Sequence, residues 1–165
     1  MCAFAEANGS WHSCTGKPAN MCYGHSKRCG IPHEYGSTGF GVYHALLIGA
    51  AYAHINLKKA TVAIEGYGNV GTFVAEYLAK DNVKVIAISD SKGVCHVGNG
   101  IDIAKLKKVK EKSGTVTKYP GCKVLPTADI VGVNADILVT AAIPDLITEK
   151  NKSKVKAKLI VEGSN

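Results

Sequence analysis

Short apolar segments alternate with helical segments along most of the chain, and this alternation predicts an α/β fold with a doubly wound, mostly parallel sheet and helices on both faces. Two of the apolar segments, 83–89 and 135–140, are rich in β-branched residues, which is typical of strands covered on both sides. We predict strands at 61–65, 83–89, 135–140 and 158–161. We predict helices at 39–54, 69–80, 101–112 and 148–155.

With 165 residues, the chain is long enough for one domain and short for two. Residues 1–36 are rich in Gly, Cys, His and Ser without periodicity, so we expect an irregular entry segment with at most a short helix near 1–8. Residues 37–165 form the predicted core of the domain. Residues 115–126 are expected to be irregular with a short extended piece.

Helical spacing of apolar residues identifies the inner faces of two predicted helices. In the helix at 39–54 the stripe is Val42, Ala45, Leu46, Gly49 and Ala53. In the lysine-rich helix at 101–112 it is Ile103, Leu106 and Val109. We therefore assign these residues to the core and the lysines of the second helix to a solvated face.

Glycines recur at a fixed spacing where the first predicted strand passes into a helix. Gly66, Gly68 and Gly71 have G-x-G-x-x-G spacing, and Asp90 ends the next strand about 20 residues further on. The first glycine permits a tight turn, the second lets a pyrophosphate approach the backbone, and the third lets helix and strand pack closely. The helix N-terminus adds unpaired N–H groups and a partial positive charge. This context favours a Rossmann-type dinucleotide site over a strand–helix turn that binds nothing.

Ligands of doubly wound sheets bind beyond the carboxyl ends of the strands. In this sequence those ends are residues 66–71, Asp90, residues 140–142 and residues 162–165. All the candidate cofactor contacts therefore converge on one edge of the predicted sheet.

Composition argues against two other classes of partner. The net charge is +7, and the lysines lie mainly at 105–112 and 150–158, in runs that are interrupted by Glu111 and Glu149 and carry no interleaved aromatic residues for base stacking. We therefore expect no nucleic-acid binding. No apolar run approaches the ~20 residues of a membrane span, and the first ten residues lack the features of a signal peptide. These observations favour a cytoplasmic protein without a membrane partner.

Five motifs, in order along the chain, resemble a known family. They are Thr15-Gly16-Lys17-Pro18 with Gly36-Ser37-Thr38-Gly39-Phe40-Gly41-Val42, then TVAIEGYGNVG, AISDSKG, ADILVTAAIPDLIT and LIVEGSN. The sequence is similar to the cofactor domain of the glutamate/leucine/phenylalanine/valine dehydrogenases, and its pattern is nearest to the glutamate members. The resemblance covers nearly the whole chain from Thr15 onward.

The resemblance implies NAD(P)-dependent oxidative deamination of an L-amino acid, most readily L-glutamate to 2-oxoglutarate and ammonia. It implies that Thr38 binds the nicotinamide carboxamide. It further implies a pyrophosphate cradle formed by the glycine loop and the helix start: Gly66, Gly68, Asn69, Val70 and Gly71. Asp90, with Ser91 beside it, would face the adenosine ribose, and Ala141, Ala142 and Asn165 would line the nicotinamide ribose.

Asp90 favours NAD as the cofactor, because a carboxylate accepts hydrogen bonds from ribose hydroxyls and repels a 2′-phosphate. Ser91 and Lys92 lie just beyond the strand and keep NADP open as the alternative.

The sequence departs from the family at the site of catalysis. We identify no catalytic residue, since the family's catalytic lysine and aspartate belong to a substrate domain that has no counterpart here. We therefore expect a cofactor domain that binds dinucleotide without turnover unless a substrate domain or subunit is supplied. A free-standing NAD(P)-binding or sensing module is the alternative. Glu65 stands where the family usually has glutamine, and it places a negative charge near the phosphates unless strand alternation turns it away.

Cysteines and histidines cluster in the entry segment. Cys22, His25, Cys29 and His33, with His12 and Cys14 upstream, have the chemistry of zinc ligands but fit no established finger spacing. We therefore assign no metal ligands, while zinc binding by this segment stays an open alternative. Cys95 and Cys122 are expected to be inert, reduced thiols.

Overall fold

The computed structural model describes residues 4, 7–10, 22–23, 28–29 and 35–164. Two compact units divide the chain, Met1–Ser37 and Thr38–Asn165. In the first unit, strands β1 (Cys22–Tyr23) and β2 (Arg28–Cys29) pair antiparallel, which the sequence did not predict. The Asn8 N–H donates to the Phe4 carbonyl oxygen at 3.1 Å, as in a helical turn. The rest of the predicted helix near 1–8 lies outside the described residues.

The second unit is built on a six-stranded sheet in the order β6-β5-β4-β3-β7-β8. Strands β3, β4, β7 and β8 are parallel to one another, and at the β4 edge β5 pairs antiparallel with β4 and β6 pairs antiparallel with β5. This arrangement confirms the α/β, doubly wound, mostly parallel prediction. The strands are β3 (Thr61–Glu65), β4 (Lys84–Asp90), β5 (Gly93–His96), β6 (Lys123–Leu125), β7 (Ile137–Thr140) and β8 (Leu159–Glu162).

Three α-helices contribute to the core on one side of this sheet. They are α1 (Ser37–Tyr52), α2 (Asn69–Lys80) and α3 (Ile103–Ser113). Their buried side chains, such as Leu46, Leu78 and Leu106, share one apolar cluster with Val62 and Ile64 of β3. The α2 bounds agree with the prediction, and α1 and α3 begin within two residues of it. Asp102 caps α3 by accepting from the Lys105 N–H at 2.9 Å, so this helix begins where its lysine-rich stretch begins.

A second apolar cluster lies against the opposite sheet residues, such as Ala63 and Leu138. Its cover is a short 3₁₀ helix (Thr127–Gly132), whose Ile130 and Val131 are buried, together with partly buried residues of the segment 146–157. The sequence predicted an α-helix at 148–155, and this prediction is wrong: only Lys152–Lys154 is helical, as one 3₁₀ turn.

The side chain of Asn151 explains the missing helix. Its Oδ1 accepts from the Thr148 N–H at 2.7 Å, and its Nδ2 donates to the Leu146 carbonyl at 2.8 Å. Asparagine thus offers the backbone a turn in place of helical hydrogen bonds. Four closely spaced lysines, Lys150, Lys152, Lys154 and Lys156, add no apolar stripe that would favour a helix.

Two other sequence assignments need correction. Ala45 and Ala53 are exposed, whereas Tyr43 and Ala50 are buried. The face of α1 is set by its contact with α2 at Gly39, where a Cβ would lie 2.6 Å from the Phe73 Cβ. Residues 93–96, for which we predicted no strand, form β5, because a two-residue connection suffices for an antiparallel hairpin. Within the described ranges, no helix has the length and apolarity required to cross a bilayer.

Candidate functional site

A cleft of about 360 Å³ opens at the carboxyl ends of β3, β4 and β7. It brings together five residues that the sequence assigned to cofactor binding: Gly66, Gly68, Asp90, Ser91 and Ala142. Its other lining residues are Glu65, Tyr67, Ser89, Lys110, Thr127 and Ile143. The predicted convergence on one sheet edge therefore corresponds to a physical cavity.

The structure of the glycine loop shows which of its glycines the fold requires. Gly66 has a positive φ of 91°, and a Cβ there would lie 2.6 Å from the Ala142 Cβ. A Cβ on Gly71 would lie 1.9 Å from the Gly66 carbonyl oxygen, so only glycine lets α2 start this close to β3. A Cβ on Gly68 would meet nothing within 4 Å. Gly66 and Gly71 thus serve the fold, while Gly68 faces open space that a ligand can occupy.

The start of α2 is open to an anion. Its N-cap is Gly68, which supplies no side-chain hydrogen bond, so the first-turn N–H groups are not capped in that way. Asn69 and Val70 are the first two residues of the helix. Together with the helix dipole, this terminus favours a phosphate group.

Three buried polar atoms near the cleft make no hydrogen bond within the described residues: Tyr67 Oη, Asn69 Oδ1 and Thr140 Oγ1. Thr140, only 4% exposed, ends β7, and Tyr67 and Asn69 belong to the glycine loop and the start of α2. Burial raises the pKa of Tyr67 to about 12, with smaller contributions from Glu76 and Glu111, so its hydroxyl stays protonated. Unpaired buried polar groups are costly. Because these atoms are shielded from solvent, each adds a cost to the fold and none is open to a ligand in the cleft.

Asp90 lines the cleft, but its carboxylate is already engaged. Four donors bind it among the described residues: the Lys92 N–H (2.9 Å) and Thr115 Oγ1 (3.3 Å) at Oδ1, and the Lys110 ammonium (2.7 Å) and Val116 N–H (2.8 Å) at Oδ2. Burial acts to raise the pKa of Asp90, but the hydrogen bonds from Lys110, Val116 and Lys92 outweigh it and hold the pKa below its usual range. A ribose hydroxyl would therefore have to share a carboxylate whose acceptor positions are filled.

Lys110 is a site residue that sequence reasoning missed, because the α3 lysines were assigned to a solvated face. Its ammonium lies 2.7 Å from Asp90 Oδ2, and its side chain is 29% exposed, whereas that of Asp90 is 6% exposed. The helical spacing held a signal, since position 110 continues the inward stripe of Ile103 and Leu106 by one turn. A lysine that lies on an otherwise apolar helix face is typically paired with an acidic side chain.

Ser89 was also missed, whereas Glu65 was noted for its charge near the phosphates without its contacts being predicted; both line the cleft. The Ser89 hydroxyl oxygen accepts from the Gly66 N–H at 3.1 Å. Glu65 is 3% exposed, and its Oε2 accepts from the N–H groups of Ala141 (3.0 Å) and Ala142 (2.9 Å). These two alanines therefore direct their N–H groups into the protein, leaving side chains and carbonyl groups for any ligand.

The remaining predicted residues lie near the cleft or outside the described part. Thr38 is exposed in the first turn of α1, where the adjacent Gly39 lies close to the Val70 carbonyl. Gly163, just after β8, is packed between Val42 and Val70. Asn165 lies outside the described residues.

The cysteine and histidine segment is described only in part. The backbone register places Cys22 opposite Cys29, whereas His12, Cys14, His25 and His33 lie outside the described residues. Elsewhere, burial raises the pKa of the Cys95 thiol, and a hydrogen bond with Cys122 raises it further, which disfavours the reactive thiolate.

Comparison with known proteins places this geometry in a family. The family model for glutamate/leucine/phenylalanine/valine dehydrogenase matches residues 29–165. A glutamate dehydrogenase of Aeropyrum pernix is 40% identical over 151 residues, covering 92% of this chain and 34% of the relative. An NADP-specific glutamate dehydrogenase of Saccharolobus shibatae is 36% identical over 92% of this chain and 34% of its own length. An NAD-specific one of Staphylococcus aureus is also 36% identical, over 78% of this chain and 31% of its own length.

Among solved structures, the hetero-hexameric glutamate dehydrogenase of Thermus thermophilus superimposes with a TM-score of 0.69 at 26% identity, covering 100% of this chain and 38% of that one. The chain thus spans about a third of the length of the relatives it matches. The chain belongs to the glutamate/leucine/phenylalanine/valine dehydrogenase family.

Proposed function

We propose that this chain is the dinucleotide-binding domain of an NAD(P)-dependent amino-acid dehydrogenase acting on L-glutamate. The observation that carries the proposal is the cleft at the carboxyl ends of β3, β4 and β7, with the open terminus of α2 at Gly68. The substrate is proposed from the relatives, which are glutamate dehydrogenases. When bound, the nicotinamide cofactor supplies hydride transfer.

The residues of this chain would act by binding and orientation. The first turn of α2, with Gly68, Asn69 and Val70, would hold the pyrophosphate through backbone N–H groups. Thr38 would bind the nicotinamide carboxamide, and Ala141, Ala142 and Asn165 would border the nicotinamide ribose. Gly66 and Gly71 would keep the loop and helix in place, with Asp90 and Ser91 at the adenosine end.

The amino acid and the proton transfers would be handled by a further domain or subunit. Both acidic side chains that line the cleft are held within the protein, Asp90 by Lys110 and backbone groups, and Glu65 by two loop amides. The one lysine in the cleft, Lys110, is paired with Asp90. None of the described residues that line the cleft is thus placed as a free general base, which deamination requires.

Both cofactors are candidates, since the relatives include NAD-specific and NADP-specific enzymes. We propose a modest preference for NAD, less than about 100-fold, because the Asp90 carboxylate opposes a 2′-phosphate while the neighbouring Lys110 and Lys92 ammonium groups attract it.

Isothermal titration calorimetry of the purified chain with NAD⁺ and NADP⁺ tests this function. We expect binding of both with NAD⁺ tighter, and no glutamate-dependent NADH formation above a buffer blank. The matched variant Asp90→Asn should weaken NAD⁺ binding and leave NADP⁺ binding unchanged or improved. Absence of binding would refute the domain assignment, tighter NADP⁺ binding would refute the preference, and steady-state turnover would refute the need for a substrate domain.

A further inference from the structure

A buried carboxylate at the end of β3 has a role that the cofactor contacts do not explain. Glu65 is 3% exposed and takes part in none of the ion pairs formed by the described residues. A buried carboxylate is costly unless hydrogen bonds stabilise it. It also lines a cleft proposed to bind two phosphates. Its charge alone would oppose that ligand, so the side chain must serve in another way.

The contacts of Glu65 identify that role. Strands β3 and β7 pair in register up to Glu65 and Thr140. Beyond this pair, the Ala141 N–H donates to both the Glu65 carbonyl (2.9 Å) and Oε2 (3.0 Å), and the Ala142 N–H donates to Oε2 (2.9 Å). The side chain thus extends the strand pairing for two residues after the ladder ends.

This extension fixes one wall of the cleft. Ala142 lies so close to the glycine loop that a Cβ on Gly66 would come within 2.6 Å of its own Cβ, and Ala142 and Ile143 both line the cleft. If Oε2 were withdrawn, the Ala142 N–H would be left unpaired against the sheet end and the Ala141 N–H would keep only the Glu65 carbonyl, and the segment would move to satisfy the free donor. The width of the cleft beside Gly66 is therefore set by the reach of the Glu65 side chain.

We propose that Glu65 is a positioning residue for dinucleotide binding, and that its acceptor oxygen, rather than its charge, holds the Ala141–Ala142 wall in place. This inference rests on the proposed function, because it assumes that the dinucleotide occupies this cleft.

Two substitutions separate reach from charge. Glu65→Gln keeps the side-chain length and one carbonyl acceptor but removes the charge. Glu65→Asp keeps the charge but withdraws the oxygen by one C–C bond, ~1.5 Å. Glu149→Gln, which removes a charge from an exposed side chain paired with Lys152 away from the cleft, is the matched control. The readouts are the NAD⁺ dissociation constant by calorimetry and hydrogen exchange of the Ala141 and Ala142 amides by ¹⁵N NMR without cofactor.

We expect Glu65→Gln to bind NAD⁺ at least as tightly as the unmodified chain and to retain slow exchange at both amides. Glu65→Asp should weaken NAD⁺ binding at least tenfold and speed exchange of the Ala142 amide at least tenfold, with a smaller effect at Ala141, which keeps the Glu65 carbonyl as acceptor, and Glu149→Gln should change neither. The inference would be overturned if Glu65→Gln bound NAD⁺ tenfold more weakly while Glu65→Asp bound it normally. Unchanged amide exchange in Glu65→Asp would overturn it too. If Glu65→Asp does not fold, a tenfold loss of NAD⁺ affinity in Glu65→Gln would still refute the acceptor role. Failure of the unmodified chain to bind NAD⁺ would instead count against the proposed function, and the amide exchange would still test the contact.

Discussion

Asp136 joins the amino ends of three parallel strands, and its replacement should destabilise the domain measurably. Its Oδ2 accepts from the Thr61 N–H (2.9 Å) and hydroxyl (3.0 Å) at the start of β3, and Oδ1 accepts from the Lys158 ammonium (2.9 Å) before β8. Its own backbone donates to the Thr61 carbonyl at 3.0 Å and precedes β7. Asp136→Ala would remove the acceptor of a strand-end N–H and the partner of one lysine.

The expected loss follows from these contacts. An unsatisfied backbone donor costs roughly 1–3 kcal/mol. The Lys158 side chain is 70% exposed, so its ion pair contributes at most about 1 kcal/mol. We therefore expect Asp136→Ala to lower the free energy of unfolding by about 2–3 kcal/mol at pH 7. The control Lys158→Ala, which keeps the Thr61 contacts, should lower it by less than about 1 kcal/mol.

The same variant predicts a pH dependence. The Lys158 ammonium, and then the Thr61 N–H, hold the pKa of Asp136 below its usual range. A carboxyl whose pKa is lower in the folded state stabilises the fold above its unfolded pKa, about 3.9, and loses this contribution as the pH falls through the folded pKa. The difference in the free energy of unfolding between the unmodified chain and Asp136→Ala should therefore have its largest value at pH 7 and become smaller below about pH 4.

Urea unfolding followed by circular dichroism at pH 7 and pH 3 measures both effects, with the slope m checked for constancy. Equal losses in Asp136→Ala and Lys158→Ala at pH 7 would show that the surface ion pair, not the strand-end contact, carries the effect. A difference that does not shrink at low pH would refute the assigned protonation.

Five further substitutions test the site and the entry segment. Gly68→Ala should leave the melting temperature unchanged, since its Cβ enters only open space, and should weaken NAD⁺ binding at least tenfold, because the proposed pyrophosphate would occupy that space. Gly71→Ala should instead destabilise the fold, because its Cβ would lie 1.9 Å from a carbonyl oxygen. Equal melting temperatures of the two variants would contradict these assignments. Lys110→Met should weaken NADP⁺ binding about fivefold more than NAD⁺ binding in calorimetry, as expected for about 1 kcal/mol from a partly exposed cation, and equal losses would remove Lys110 from phosphate recognition. Thr140→Val should raise the free energy of unfolding by up to about 1 kcal/mol, because it removes a buried hydroxyl without a partner among the described residues; a loss of stability in urea unfolding would show that the hydroxyl has a partner in solution. Elemental analysis of protein purified without chelator should find no stoichiometric zinc, whereas one zinc per chain that is lost in Cys22→Ser would establish the metal alternative.

Those features of the fold that depend on local chemistry, the strand–turn–helix unit and the parallel sheet, could be predicted from the amino-acid sequence. The spacing of Gly66, Gly68 and Gly71 predicted the strand–turn–helix unit and the bounds of α2, because only glycine permits the backbone path and the close approach observed there. Alternating buried strands and helices predicted the parallel sheet, and the sheet geometry then predicted that Asp90 and Ala142 lie beside the glycine loop.

The pairing of polar side chains, by contrast, depends on tertiary packing and became visible in the structure alone. The pairing of Lys110 with Asp90, of Glu65 with the amides of Ala141 and Ala142, and of Asp136 with Thr61 joins residues 20 to 77 positions apart. No local periodicity encodes such contacts, because a helix or strand pattern tells only which face a side chain occupies. The partner depends on strand order and on where α3 packs, which are set by the burial of the whole apolar core.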